Sequence, residues 1–289
     1  MTQNKSHDAG KRRGIYLLPN LFTTAALFSG FYAVVASMNG KFESGAIAIF
    51  IAMIFDGLDG RIARLTGTES AFGAEYDSLS DMISFGIAPA LVSYNWALNG
   101  LGKIGWLAAF IFAVSAALRL ARFNTQVGKA DKRYFQGLAS PSAAAIVAGM
   151  VWLGQDFALD RHHLDYIAAF ITVCSGLLMV TNFRYYSFKG IDLKGRVPFV
   201  VVLLMVLILV VIASRPALVL FVAFSLYAIS GPIYTIRAVR KLKLEHVVGD
   251  DEADSDFDDM DSSPSMNQKS EQSFEQKDDN KKNSEINDN

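Results

Sequence analysis

The sequence predicts an all-α protein: a polytopic membrane bundle of about eight transmembrane helices followed by a disordered acidic tail. Two observations carry this. The chain of 289 residues is 52% hydrophobic and has 21 Phe, more apolar material than one soluble core of that length needs. The apolar residues also fall in runs close to the roughly 20 residues that a helix needs to cross a hydrocarbon layer about 30 Å thick. The expected spans are residues 17–38, 43–64, 73–97, 103–123, 141–156, 164–182, 197–213 and 217–237.

Taken in order, the first run follows Lys11, Arg12 and Arg13 and has the look of a secretory leader. Its length is that of a full span, and further spans follow it, so it reads as the first transmembrane helix. The second ends in IAMIFDGLDGRIARL and the third opens in GAEYDSLSDMISFG. The fourth closes on ALRLARFN, and YFQGLASPSAAA leads into the fifth. The sixth contains Cys174, the only cysteine, so the chain forms no internal disulfide and no cysteine-cluster metal site. His162 and His163, just before it, are two adjacent histidines and too few for a metal site. The last two spans are almost purely apolar.

Orientation follows from the basic residues. If both termini and the loops after even-numbered spans lie on one side, the opposite side holds only Lys41, Lys103, Arg161 and Arg215. Basic loops are retained in the cytoplasm. The reading is therefore a multi-pass protein of the cytoplasmic (inner) membrane, with both termini inside. Residues 1–14 form a cytoplasmic lead-in, 15–245 the membrane domain and 246–289 the tail. The net charge of −1 conceals a segregation, because the tail carries half of the 28 acidic residues. The remainder is basic, which suits anionic headgroups and phosphorylated ligands. The tail is polar and poor in apolar residues, and reads as a solvated spacer.

Ionisable groups within membrane spans are costly and usually serve a site. Asp56 and Asp59 are i and i+3 near the end of the second span; Asp77 and Asp81 are i and i+4 at the start of the third. Each pair shares a helix face. The short polar link between them returns the chain as an antiparallel neighbour, so two helices present two carboxylates each to one space. Four such charges repel unless cations or protons compensate them. Carboxylate oxygens with no nearby Cys or His suit Mg²⁺, Mn²⁺ or Ca²⁺, and a pair of divalent ions serves phosphoryl transfer. Gly57, Gly60, Ala63 and Gly73 leave the helix surfaces nearly bare, and Arg64 offers a planar donor set for phosphate. Small residues also permit tight helix packing, but packing does not account for four aspartates.

Residues 56–81 read D-x-x-D-G-x-x-A-R, eight residues, then G-x-x-x-D-x-x-x-D. This resembles the signature of the CDP-alcohol phosphatidyltransferase family without departure at any defining position. SFGIAPALV, ALRLARFN, YFQGLASPSAAA and the opening LLPNLFTTAALFSGF are similar to the membrane-embedded phosphatidylserine synthases of bacteria and archaea within it. The resemblance implies transfer of a phosphatidyl group from CDP-diacylglycerol to L-serine, yielding phosphatidylserine and CMP, in a homodimer that needs two divalent cations. By position it makes Asp56, Asp59 and Asp77 metal ligands. Asp81 becomes the general base and a further metal contact; Gly60, Ala63, Arg64 and Gly73 line the CDP pocket.

Serine also brings a carboxylate, for which Arg119 and Arg122, i and i+3 at the end of the fourth span, are the candidate partners, with Asn124 or Ser84 as polar contacts. Both arginines also fit the ordinary role of basic anchors. Two alternatives stand beside serine transfer. A transferase of the same family would use glycerol 3-phosphate or an inositol phosphate, and Lys132 and Arg133 suit that extra phosphate. An ion-coupled transporter would place acids at mid-membrane and be built from repeats, neither of which the sequence has.

Overall fold

A computed structural model describes residues 6–126, 134–157, 161–186 and 199–258. Each expected span is helical. The helices are α1 (Ser6–Met38), α2 (Phe42–Thr66), α3 (Ala71–Asp81), α4 (Ala88–Trp96), α5 (Lys103–Gln126), α6 (Ser140–Asp156), α7 (Arg161–Val180), α8 (Phe199–Ser214) and α9 (Pro216–Asp258). Leu18–Met38, Lys103–Thr125 and Pro216–Arg237 are long and apolar enough to cross a membrane, and Leu164–Val180 and Phe199–Ser214 are shorter apolar helices. The second expected span carries Glu43, Asp56, Asp59, Arg61 and Arg64, and the third is divided into shorter helical pieces, so neither is an uninterrupted uncharged helix.

The third span is not one regular helix. Between α3 and α4 lies a π-helical turn, Met82–Ile87. Pro89, in the first turn of α4, has no N–H to donate and its ring crowds the preceding turn. A widened turn relieves both problems, and such turns recur beside functional sites. Among the described residues the only strands are β1 (Tyr134–Gln136) and β2 (Arg184–Tyr186), which pair antiparallel with Phe135 opposite Tyr185. They add a small clasp to an otherwise helical protein.

The core is made of small side chains. Ala143, Ala144, Ala145, Val147, Ala148 and Val151 are buried along α6, which packs against α2, α4 and α7. Small residues let helix backbones approach closely where apolar burial alone gives no drive between membrane helices. Gly149 of α6 meets the backbone of Phe221 of α9, and Gly176 of α7 meets that of Phe112 of α5. By contrast, α8 is apolar on every face and has no buried residue, the pattern of a helix surrounded by lipid.

The described chain divides into two units, one running to Ile236 and the other beginning at Arg237. The tail expected from residue 246 begins within α9, which continues to Asp258; residues 259–289 lie outside the described residues, as do the side chains of His162 and His163. Lys132 and Arg133, read as suited to an extra acceptor phosphate, also lie outside them.

Candidate active site

Asp56 and Asp59 stand near the end of α2, and the chain reverses immediately after them. Gly67 ends α2 in the left-handed region at φ 61°, donating its N–H to the Ala63 carbonyl, a conformation that favours glycine. Ser70 then caps α3 by accepting the Gly73 N–H at 3.0 Å. The reversal brings Asp77 and Asp81 back past Asp59 and Asp56. One carboxylate oxygen from each of Asp56, Asp59 and Asp77 lies within 4.8 Å of the others, and Asp81 is in hydrogen-bonding contact with Asp56.

The antiparallel return is present, but direct packing of α2 on α3 is not what holds it. Both helices rest on α1. Thr23 of α1 donates to Asp59 Oδ2 at 2.7 Å, and its carbonyl accepts the Ser80 hydroxyl of α3 at 3.1 Å. Thr24 and Tyr76 share a hydrogen bond at 2.9 Å. The reason lies in the bare surface between the acids: Gly57 and Gly60 have nothing within 4 Å of where a Cβ would stand. Open volume, rather than a partner helix, covers that face of α2.

The donor set fits a hard divalent cation. Carboxylates this close repel unless a cation or a shared proton lies between them, and Asp77 Oδ1 is buried with no hydrogen-bond partner. An orphaned buried carboxylate oxygen is expensive, and oxygen-only ligands select ions such as Mg²⁺ or Mn²⁺. Asp59 is buried and fixed by Thr23, as metal-ligating carboxylates commonly are.

The remaining expected residues separate into two groups. Gly60 and Ala63 line the open face of α2. Arg64 is exposed beside them, its Nε donating to the Gly60 carbonyl at 2.8 Å. Gly73 sits at the start of α3, opposite Asn20 of α1. Arg119 Nη1 donates to Ser140 Oγ at 2.8 Å, while its Nε is buried without a partner and the side chain is within electrostatic reach of Asp81.

The other three acceptor candidates have structural partners. Arg122 Nη1 donates to the Val180 carbonyl at 3.0 Å and to Asn182 Oδ1 at 3.1 Å, tying α5 to the end of α7. Asn124 Nδ2 donates to Ser78 Oγ at 3.1 Å, linking α5 to α3 beside Asp77. Ser84 does not reach the open space: it is fully buried and donates to the Ala26 carbonyl at 3.1 Å, where Gly30 makes room for it. Sequence reasoning missed Thr23 and Ser140. The signal for Thr23 was the polar set Asn20, Thr23 and Thr24 at helical spacing inside an apolar run; Ser140 gave none beyond its place before Pro141.

An open, acid-lined face at the α2–α3 reversal, with an unpaired guanidinium nitrogen nearby, has the chemistry of a metal-dependent phosphoryl-transfer enzyme. The sequence model of the CDP-alcohol phosphatidyltransferase family matches residues 16–180, and the chain belongs to that family. A CDP-diacylglycerol–serine O-phosphatidyltransferase of Helicobacter pylori is 37% identical over 219 residues, covering 76% of this chain and 91% of the relative. The protein of that name from Mycobacterium tuberculosis is 30% identical over 250 residues, 83% of this chain and 86% of its own. An archaetidylserine synthase of Methanothermobacter thermautotrophicus is 34% identical over 175 residues, 60% of this chain and 71% of its own.

Proposed function

We propose that this protein is a CDP-diacylglycerol–serine O-phosphatidyltransferase, joining L-serine to the phosphatidyl group of CDP-diacylglycerol and releasing CMP. The observation that carries the reading is the convergence of Asp56, Asp59 and Asp77 beside Asp81. The names of the relatives supply the acceptor. On this reading Asp56, Asp59 and Asp77 hold two Mg²⁺ or Mn²⁺ ions, and Asp81 contributes to the same cluster. Bound there, the cations supply charge neutralisation for the diphosphate and for departing CMP.

The chain's own groups do the rest. Gly60, Ala63, Arg64 and Gly73 form the CDP pocket: the glycines let the nucleotide lie against the helix backbone, and Arg64 reaches a phosphate oxygen. Arg119 takes the serine carboxylate. Its Nε lacks a partner, and Ala139, which precedes α6, offers no capping side chain; a carboxylate between them suits the positive end of that helix. Arg122 and Asn124 hold the wall of this pocket through α7 and α3, and Ser84 locks α1 against the π turn behind it. Asp81 accepts the serine hydroxyl proton as that oxygen bonds to the phosphorus carrying diacylglycerol. The bond from phosphorus to the CMP oxygen breaks, and CMP leaves with the electron pair.

The domain of residues 15–245 performs this at the cytoplasmic face of the membrane, with both termini on that side, as the basic-residue asymmetry supports. Residues 1–14 and 246–289 flank it, and the protein pairs as a homodimer. The test is an acceptor panel with purified protein, CDP-diacylglycerol and Mn²⁺ or Mg²⁺, offering labelled serine, glycerol 3-phosphate or inositol phosphate singly. Lipid labelled only from serine is the expected outcome. Label from a phosphorylated acceptor alone would leave the site standing and overturn the acceptor.

A further inference from the structure

The residues matched by the family model end at 180, yet the structure carries a physical connection from Arg119 to a helix far beyond that point. Arg119 bonds Ser140 at the start of α6. The segment entering α6 is β1, followed by Gly137 and Leu138, whose N–H groups donate to the carbonyls of Phe183 and Leu178 at 2.9 Å each. Gly137 has a φ of 77°, and a Cβ there would strike the Met179 carbonyl. This junction is therefore seated tightly against the end of α7 and against β2.

Tyr185 of β2 lies opposite Phe135 of β1 and is almost completely buried, at 1% exposure. Its hydroxyl donates to the Ala228 carbonyl of α9 at 3.0 Å. Its ring packs on bare Gly231, where any side chain would collide with it. The Tyr227 ring lies against the Tyr185 ring, centroids 5.5 Å apart and tilted at 44°. Tyr227 in turn is within electrostatic reach of Arg119. Burial and Tyr227 push the Tyr185 phenol up to about 12, so it remains protonated and a donor throughout the neutral range.

The connections run from Arg119 to Ser140, through the strand pair to Tyr185 and across to α9, whose Tyr227 packs on the Tyr185 ring and acts electrostatically on the guanidinium. Arg122 reinforces the same junction through Val180 and Asn182. We propose that Tyr185 and Tyr227 are positioning residues of the acceptor site, fixing the Arg119 guanidinium from the side of α9, so that a helix outside the matched family region sets acceptor affinity. Neither tyrosine belongs to the aspartate cluster. The inference rests on the serine-transfer reading given above.

The experiment compares wild type with Tyr185→Phe and Tyr227→Phe, each of which keeps the ring and removes only the hydroxyl. KM for serine, KM for CDP-diacylglycerol and kcat are measured at saturating Mn²⁺, with the thermal midpoint of the purified protein recorded alongside. The expected result is a rise in KM for serine of about fivefold or more in each variant, the effect of one ordinary hydrogen bond, with the KM for CDP-diacylglycerol and kcat within about twofold of wild type. Gly231→Leu, which displaces the Tyr185 ring, is expected to raise the KM for serine further. Unchanged serine KM in both phenylalanine variants would overturn the proposal. So would a parallel loss in kcat and both KM values together with a lowered thermal midpoint, the mark of a purely structural role. Wild-type protein that does not use serine at all would instead overturn the underlying reading.

Discussion

Asp81 differs from the other three aspartates in what it touches. Asp56, Asp59 and Asp77 face one another, whereas Asp81 meets Asp56 and lies toward Arg119. Its loss should therefore affect proton transfer more than lipid binding. Asp81→Asn is nearly isosteric, and a drop in turnover of about 10²- to 10⁴-fold is expected with binding of CDP-diacylglycerol retained; single-turnover assays alongside direct binding to the purified variant measure both. Thr23 makes a different prediction. Thr23→Val keeps the shape but removes the 2.7 Å bond to Asp59. The divalent-cation concentration giving half-maximal rate should rise by about 10- to 100-fold, with the maximal rate recovered at high metal. A rate deficit that no metal concentration restores would assign Thr23 to packing alone.

At this scale the aspartates were legible because an ionised side chain in an apolar run has few purposes. The acceptor contacts were not. Arg119 and Arg122 are alike in sequence, three residues apart on one helix, and only the structure separates them: one has a buried nitrogen without a partner, the other spends its guanidinium on Val180 and Asn182. Ser84 sits in a motif next to Asp81, yet its direction depends on the π turn, whose wider winding rotates everything after Met82.

Among the elements, α2 shows how a helix can be built to be incompletely covered. Gly57 and Gly60 weaken it relative to alanine by about 1 kcal/mol each, and their surroundings are open rather than a helix interface, the space the proposed reading gives to the nucleotide. Gly60→Leu should then leave thermal stability unchanged or slightly raised, because a better helix former replaces glycine at an exposed position. Affinity for CDP-diacylglycerol should nevertheless fall by at least about tenfold as the side chain fills the pocket, a separation that a thermal melt and a KM measurement reveal together. Helix α1 is the element whose part was hardest to foresee. Its sequence is an ordinary apolar span, and its polar Asn20, Thr23 and Thr24 acquire meaning only when α2 and α3 are seen to rest on it. The strand pair lay beyond any periodicity argument, since three residues are too few to show one.

For the whole molecule, the eight helical stretches were legible from apolar runs, and the interior ends marked by Gly67, Ser70 and Pro141 were recovered closely, whereas α1 begins at Ser6 and α9 runs on to Asp258, beyond their apolar runs. Which helices surround which was not legible, as packing of alanine-rich surfaces leaves little trace in hydropathy. The resulting architecture places an alanine- and glycine-lined α6 at the centre, the aspartates at the reversal between α2 and α3, and the fully apolar α8 outside. The molecule thus combines a rigid, closely packed interior with an open face over α2, an arrangement suited to admitting a lipid-linked nucleotide from the side.

The carboxylate cluster makes sense as catalytic machinery only if it works by holding cations. The most direct measurement is conversion of labelled serine into lipid by purified protein, first stripped with a chelator and then titrated with Mn²⁺ or Mg²⁺. Turnover should be absent after stripping, return in full on titration, and fail to return in Asp56→Asn, Asp59→Asn or Asp77→Asn. Serine conversion that persists in fully stripped protein, or survives loss of those three carboxylates, would contradict the role assigned to them.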